Sequence, residues 1–349
     1  MPVYDTHDAP IVDLLASLQL HPRASWAELG PILGADPSTL SRRWRGLNDE
    51  GVAWVTCQPS SRTDWHYFAP HGSTAFVEVV CSAGRRDEVV DEIVHHPEIW
   101  TVECTSGARD LLLSVTLPNS RALDHFTNRV LGGIPAVEAV RTNPVRRFLS
   151  TPSDWRIDGL TARQRQAVSA LADAAARPVA DRPPSTLERL VMNGLAANGR
   201  ATSQEIADEI GFSLSGVNSA IRRIMGSGWA SLRVDFAQET LGWDVMASLW
   251  IEAPQANVPE IGALLRRFRG DVRQAVSLVG SANLYVHVWT KDFATLDSIE
   301  ELITASFPGV RLADRWITTR FAKRAGVLLG DGGRRIGFIP PTSTPEPSR

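Results

Sequence analysis

AELGPILGADPSTLSRRWRGLNDEG, Ala27 to Gly51, and QEIADEIGFSLSGVNSAIRRIMGSG, Gln204 to Gly228, lie on one another when the 349-residue sequence is shifted by 177. Glu28 meets Glu205, Gly34 meets Gly211, Ser38 meets Ser215, Arg45 meets Arg222 and Gly51 meets Gly228. The apolar positions follow: Leu29 with Ile206, Leu33 with Ile210, Leu40 with Val217, Trp44 with Ile221, Leu47 with Ile224. An offset shared by glycine, polar and apolar positions marks a repeated structural unit. Further along, a shift of 173 pairs Ile99 with Val272, Gly107 with Gly280, Asp124 with Asp297 and Pro135 with Pro308. The chain thus reads A-B-A′-B′, two copies of a two-part unit.

Each A unit carries a helix-turn-helix pattern. In the first copy Ile11–Leu20 and Trp26–Leu33 read as helices, and Gly34-Ala35-Asp36 as a tight turn with Asp36 as N-cap. Pro37 then opens a third helix running to about Glu50. Leu40, Trp44 and Leu47 recur at i, i+4, i+7, so one stripe packs inward. Ser38, Thr39, Ser41, Arg42, Arg43 and Arg45 flank it or face outward. Ser213, Ser215, Asn218, Ser219, Arg222 and Arg223 hold the corresponding places in the second copy. Such a helix fits the major groove, short polar side chains reaching base edges and arginines reaching guanine or phosphate. The plainer reading is a packing or dimerisation module; duplication with polar and basic residues in matched places favours DNA. Arg42-Arg43 align with Ser219-Ala220, so the two copies are expected to differ in base preference or affinity.

In the B units the periodicity changes. Ala75–Cys81, Ile99–Thr105, Asp110–Leu117 and Val137–Asn143 read as strands, with helices at Arg86–His95 and Ser120–Leu131, giving βαββαβ. The second copy repeats this order from Met246–Glu252 through Val258–Phe268, Val272–Val279, Asn283–Thr290 and Phe293–Ser306 to Val310–Thr319. Two small sheets, each with one bare face, are expected to pack on each other. The hairpin before the third strand is polar and glycine-containing in both copies. Thr105, Ser106, Gly107, Arg109 and Asp110 in the first, and Gly280, Ser281 and Asn283 in the second, are candidates for holding a zwitterion, with an ordinary hairpin as the alternative.

Composition sets limits. A net charge of -3 provides no general basic field, so nucleic-acid binding must come from local patches. Cys57, Cys81 and Cys104 are widely spaced and lack metal-ligand spacing, so they read as packed thiols. No metal site and no cofactor are expected; His95-His96 has no third ligand in view. No signal sequence or membrane span is evident, which points to the cytoplasm.

A helix-turn-helix followed by βαββαβ resembles the Lrp/AsnC (feast/famine) family of transcriptional regulators. The resemblance rests on RASWAELGPILGADPSTLSRRWRGLNDEG at Arg23–Gly51, on the Gly107–Asp110 turn before Leu111-Leu112-Leu113, and on GIPAVEAVRT at Gly133–Thr142. It implies an α+β fold of two winged-helix-like helix-turn-helix domains alternating with two ferredoxin-like βαββαβ (RAM/AsnC-type) domains. The family's βαββαβ part dimerises and binds amino acids or related metabolites. Two departures stand out: Arg109 occupies a place where the family commonly has an aromatic residue, and Asn283 replaces the acid of the second copy. An asymmetric effector site is therefore expected.

The expected domains are 8–60 and 185–235 for DNA binding, 72–150 and 242–325 for effector binding and dimerisation, 151–184 as a linker with a helix, and 330–349 as a disordered tail. The Pro-rich segment RPVADRPPS, Arg177–Ser185, separates the copies. The expected function is a sequence-specific transcriptional regulator, not an enzyme, with double-stranded DNA, a small-molecule effector such as an amino acid, and further copies of itself as partners. Tetrapyrrole (siroheme-type) decarboxylases resemble the same plan and form the alternative. Tyr285 and His287, alternating on one strand and therefore on one face, are the hint in that direction.

Overall fold

Ser25 and Glu28 form a reciprocal capping box that starts a helix at Trp26, and Thr202 with Glu205 does the same 177 residues later. Both helices end on a left-handed glycine, Gly34 at φ 64° and Gly211 at φ 70°, where a side chain would be strained. These local signals fix the helix-turn-helix in the computed structural model, which describes residues 9–59, 73–175, 184–227 and 230–340. The Pro-rich stretch 177–183, Gly228 and the last residues from 341 lie outside the described residues.

The protein is of mixed α/β type. Helices α1 (Ala9–Leu20), α2 (Trp26–Leu33) and α3 (Pro37–Asp49) lead into strand β1 (Ala53–Pro59). Then come β2 (Ser73–Cys81), α4 (Arg86–Ile93), β3 (Ile99–Thr105), β4 (Leu111–Leu117), α5 (Ser120–His125) and β5 (Val137–Ser150). Helix α6 (Ala162–Ala175) precedes α7 (Thr186–Ala197), α8 (Ser203–Ile210), α9 (Leu214–Ser227) and β6 (Ala230–Phe236). The chain ends with β7 (Val245–Glu252), α10 (Val258–Leu265), β8 (Val272–Leu278), β9 (Leu284–Thr290), α11 (Phe293–Ser306), β10 (Arg311–Arg324), β11 (Val327–Leu329) and β12 (Arg335–Phe338). Two units result: one gathers α1–α3, β1, α6–α9 and β6, the other the remaining strands with α4, α5, α10 and α11.

In the second unit β5 and β10 are each fourteen residues long, well past the expected ends at 143 and 319. The extra length joins the halves. Strand β5 pairs with β2 up to Pro144 and with β8 from Val145; β10 pairs with β7 up to Ile317 and with β3 from Thr318. Eight of the ten strands thereby link into a closed antiparallel ring, β3-β4-β2-β5-β8-β9-β7-β10. One core lies between sheet and helices in each half, Val77, Val102, Leu113 and Phe126 in the first and Leu249, Ile261, Val286 and Ile303 in the second. A third joins the other faces, with Phe76, Leu112, Trp250, Val276, Tyr285 and Trp316.

Two expectations need correction. The helix read over Ser120–Leu131 stops at His125 and continues as a π turn, Phe126–Val130, and a short 3-10 turn. Thr127 Oγ1 donates to the Leu123 carbonyl at 3.0 Å, and back-bonding of this kind loosens a helical ladder. The tail expected to be disordered from residue 330 instead includes β12, which pairs with β11 and returns Ile339 N–H to the Gly326 carbonyl. As expected of packed thiols, Cys57, Cys81 and Cys104 are buried and unpaired; burial pushes the Cys57 thiol up to about 12 and Cys81 up to about 11. Thiols held so far above neutrality are poor nucleophiles.

Candidate functional site

The first unit brings the two helix-turn-helix elements together through a reciprocal contact. Arg23 donates to the carbonyls of Gly199 and Ala201 at 2.7 and 2.9 Å, and Arg200 donates to those of Pro22 and Ala24 at 2.6 and 3.0 Å. Arg23 and Arg200 are equivalent under the shift of 177, so each copy grips the same place on the other, as in an isologous interface. Strands β1 and β6 pair antiparallel, and Thr56 opposite Arg233, again equivalent positions, marks the local two-fold axis. Neither arginine was singled out from the sequence, although both begin the matched phrases Arg23-Ala24-Ser25 and Arg200-Ala201-Thr202. Arg200 also stacks on Trp26, 4.1 Å from the ring centroid, and burial lowers its pKa to about 10.

The third helices α3 and α9 present the expected residues unequally. Ser38, Arg42 and Arg45 are exposed on α3, with Thr39 and Ser41 half-buried beside the packed stripe of Leu40, Trp44 and Leu47. Arg43 turns toward α1 and lines a cavity of about 320 Å³ with Pro10, Asp13, Thr39 and Leu40. Ser213, which precedes α9, and Ser215, Asn218 and Arg222 on it are exposed, and Ser219 is half-buried. Arg222 folds back on its own helix, donating to the Asn218 carbonyl and to Ser219 Oγ. Arg223 is exposed but engaged, its Nε 3.0 Å from Glu188, whose side chain is fully buried.

The hairpin residues singled out for an effector are engaged within the second unit. Thr105 Oγ1 donates to the Arg109 carbonyl, and Ser106 exchanges two bonds with Ile317, its N–H to that carbonyl and its Oγ from that N–H, each at 2.9 Å. Gly107 forms the exposed tip. Arg109 is buried between Glu78 at 2.8 Å and Asp314 at 2.9 Å, its guanidinium stacked 3.8 Å above the Trp316 ring. A carboxylate oxygen of Asp110 accepts the Cys81 N–H at 2.8 Å. Asn283, its counterpart, both accepts from the Ala253 N–H and donates to the Ala253 carbonyl, at 3.0 and 2.9 Å. Acid and amide thus pin the same loop in each half, which explains why the replacement is tolerated. Gly280 and Ser281 are exposed.

Inside the ring of strands lies a group of ionisable side chains that sequence reasoning saw only as Tyr285 and His287. Glu103 on β3 accepts from Thr318 Oγ1 at 2.7 Å and lies 3.9 Å from His287 Nε2. His287 Nε2 accepts the Trp289 indole N–H at 3.3 Å, as a neutral imidazole does. Tyr285 shares a hydrogen bond with Ser248 at 3.0 Å. Arg273 stacks over Trp289 and Trp155, and Arg324 over Trp289 and Phe321. Glu103 was missed because its alternation along β3 reads as one polar position on a half-buried strand; only closure of the ring buries it.

Burial outweighs the nearby arginines and raises the Glu103 carboxyl to about 7, and burial lowers His287 to about 3. The signs oppose. For Glu103, with a folded pKa above the ordinary 4.5, the stabilising contribution is complete below about 4.5 and lost as pH rises through 7. For His287, depressed from 6.5, it is complete above 6.5 and lost as pH falls toward 3. Glu103→Gln removes the first dependence alone. Relative to wild type the variant should gain on the order of 2 kcal/mol between pH 5 and pH 8 in urea unfolding. A difference independent of pH would refute this account. Among the described residues no group of three His, Cys, Asp or Glu side chains gathers to hold a metal ion, and no helix is long and apolar enough to cross a membrane.

Residues 74–152 match the Lrp/AsnC ligand binding domain, and residues 185–229 match a winged helix-turn-helix DNA-binding domain. The HTH-type transcriptional regulator FL11 of Pyrococcus horikoshii is 29% identical over 132 residues, 37% of this chain and 82% of its own length. The crystal structure of the siroheme decarboxylase NirDL superposes with a TM-score of 0.56 at 13% identity, covering 90% of this chain and 92% of that one. A second NirDL structure, in co-complex with an iron-uroporphyrin III analogue, gives 0.55 at 12% identity over 92% and 93%. Identity so low speaks for the fold alone, but it corrects one expectation. A fold shared almost end to end with a decarboxylase does not mark this chain as a non-enzyme. Residues 74–152 are thus similar to the Lrp/AsnC ligand binding domain and residues 185–229 to a winged helix-turn-helix, and the curated relative FL11 is an HTH-type transcriptional regulator.

Proposed function

We propose that this chain is a sequence-specific DNA-binding transcriptional regulator in a tandem-duplicated form, in which one polypeptide supplies both halves of what is otherwise a dimer. The observation that carries the reading is the reciprocal Arg23 and Arg200 contact across the β1–β6 pair, which relates two helix-turn-helix elements by a local two-fold axis. A two-fold arrangement is what an imperfectly palindromic operator requires. The exposed polar residues of α3 and α9 support the reading as well. The domains are then helix-turn-helix regions at 8–60 and 185–235, βαββαβ regions at 72–150 and 242–325, and a linker at 151–184.

DNA contacts fall to Ser38, Thr39, Ser41, Arg42 and Arg45 in one half and to Ser213, Ser215, Asn218, Ser219 and Arg222 in the other, with Arg43 and Arg223 holding their helices in place. A small metabolite such as an amino acid would meet the exposed hairpin tips at Ser106, Gly107, Gly280 and Ser281, while Thr105, Arg109, Asp110 and Asn283 shape those tips. The protein acts in the cytoplasm and assembles with further copies of itself. Neutralising Arg42 and Arg45 together should weaken binding to a selected operator and lower the slope of log K against log salt by about 2 if each touches a phosphate. An unchanged slope in fluorescence anisotropy titrations would remove both residues from the interface.

A second reading, an enzyme acting on a tetrapyrrole, is favoured by the ionisable group buried in the strand ring, Glu103, His287 and Tyr285 with Arg273 and Arg324 nearby, and by the fold shared with NirDL. Titration with iron uroporphyrin, followed by visible absorbance and by release of carbon dioxide, tests it: a saturable spectral shift with decarboxylation would establish this reading, and neither would dismiss it.

A further inference from the structure

Only five large apolar side chains stand exposed among the described residues, and two of them, Phe212 at 45% and Leu214 at 43%, bracket the start of α9. Between them Ser213 Oγ accepts the Gly216 N–H at 3.2 Å, so the backbone there is held as the helix begins. Ser215, Asn218 and Arg222, on the exposed part of the same helix, continue the surface. The first copy is different at the same places: Ala35 and Pro37 stand where Phe212 and Leu214 do. Its outward side chains include Arg42 and Arg45; Arg222 and Arg223 of the second copy are exposed too, but Arg223 is paired with Glu188 and Arg222 bends back along its own helix.

We propose, resting on the DNA-binding reading above, that Phe212 and Leu214 read the 5-methyl groups of thymine in the major groove, so that the two halves of the operator are recognised by different chemistry. Thymine is the base that offers an apolar group in that groove, and aliphatic or aromatic side chains are its partners there. Direct recognition by Arg42 and Arg45 in the first half would favour guanine or tighten the hold on phosphate; recognition by Phe212 and Leu214 in the second adds no charge and depends on methyls. The duplicated chain permits this, since a dimer of identical subunits must read both halves alike.

The test uses the full chain. Binding sites are selected from a random duplex library, and each thymine of the enriched site is then replaced by uracil, which removes the methyl and leaves pairing intact. Wild type should lose affinity about fourfold per contacted methyl, the burial value of one such group, at one or two positions confined to one half-site. Leu214→Ala and Phe212→Ala, both at exposed positions, should fold normally, lose that sensitivity and keep the salt slope of wild type. Leu214→Met should restore part of it. Tolerance of uracil throughout the site would overturn the proposal, as would sensitivity that survives in both alanine variants. Variants that alter self-association in light scattering while uracil sensitivity persists would assign the patch to a second copy of the chain and overturn it too. A chain that selects no duplex at all would withdraw the DNA-binding reading along with it, whereas selection without methyl dependence would leave that reading standing.

Discussion

Replacing Arg200 by alanine should cost the helix-turn-helix unit about 3 kcal/mol, a large share of what holds a small domain folded. Two charge-assisted bonds, to the carbonyls of Pro22 and Ala24, vanish together with the stacking on Trp26. The carbonyls are left facing a space that a methyl group does not fill. Lysine should recover less than half of the loss, because one ammonium cannot bridge two carbonyls in the plane that a guanidinium offers. Arg23→Ala should cost less, since the described contacts give Arg23 the two carbonyls of Gly199 and Ala201 and no ring. The double variant should cost more than the sum, because each single loss is offset by relief of the repulsion between the two cations, which helps to lower the Arg200 pKa. Urea unfolding monitored by tryptophan fluorescence measures all four variants. A loss below about 1 kcal/mol for Arg200→Ala would show that the contact is incidental, and with it the support for a two-fold pair of reading heads would weaken.

Arg109→Ala should be costlier still, about 3 to 5 kcal/mol, because it breaks a buried pair from one side. Glu78 is buried in the second unit with Arg109 as its nearest cation; Arg141, at 3.5 Å, is largely exposed and Asn143 donates only a neutral bond, at 2.9 Å. Removing Arg109 strands the Glu78 charge and uncovers the Trp316 ring. The rescue is specific. In an Arg109→Met background, Glu78→Gln should recover 1 to 2 kcal/mol, roughly what relieving an unpaired buried charge returns, while Glu78→Gln alone should destabilise. Thermal unfolding of the four proteins makes the cycle. Additive single effects would show that the two side chains do not depend on each other.

The same residue shows where reading the sequence stops. Arg109 sits at a family position that commonly carries an aromatic residue, and its presence suggested a polar, asymmetric effector site. In the fold the aromatic surface is present after all, but supplied by Trp316 from 207 residues away, with Arg109 laid across it. A covered ring and a buried ion pair occupy the place instead of an open turn. Likewise, Arg43 and Arg223 looked equivalent in role to Arg42 and Arg222, and helical phase alone places them close to the buried stripe. What an arginine at that boundary touches depends on what lies beneath it, a cavity wall for Arg43 and the Glu188 carboxylate for the still exposed Arg223.

Local signals were decisive for the elements themselves. Glycine at the left-handed positions 34 and 211, capping residues at Ser25, Asp36 and Thr202, and apolar stripes of helical or alternating period each act over a few residues, so the helix-turn-helix pairs, the βαββαβ order and the internal repeat could be read directly from the chain. What joined distant stretches could not. The strand ring, the reciprocal arginines and the buried Glu103 and His287 depend on pairings between residues a hundred or more positions apart or on the length by which a strand overruns its own sheet. Burial and charge pairing are properties of a surface after its neighbour has arrived, and only the assembled structure specifies the neighbour.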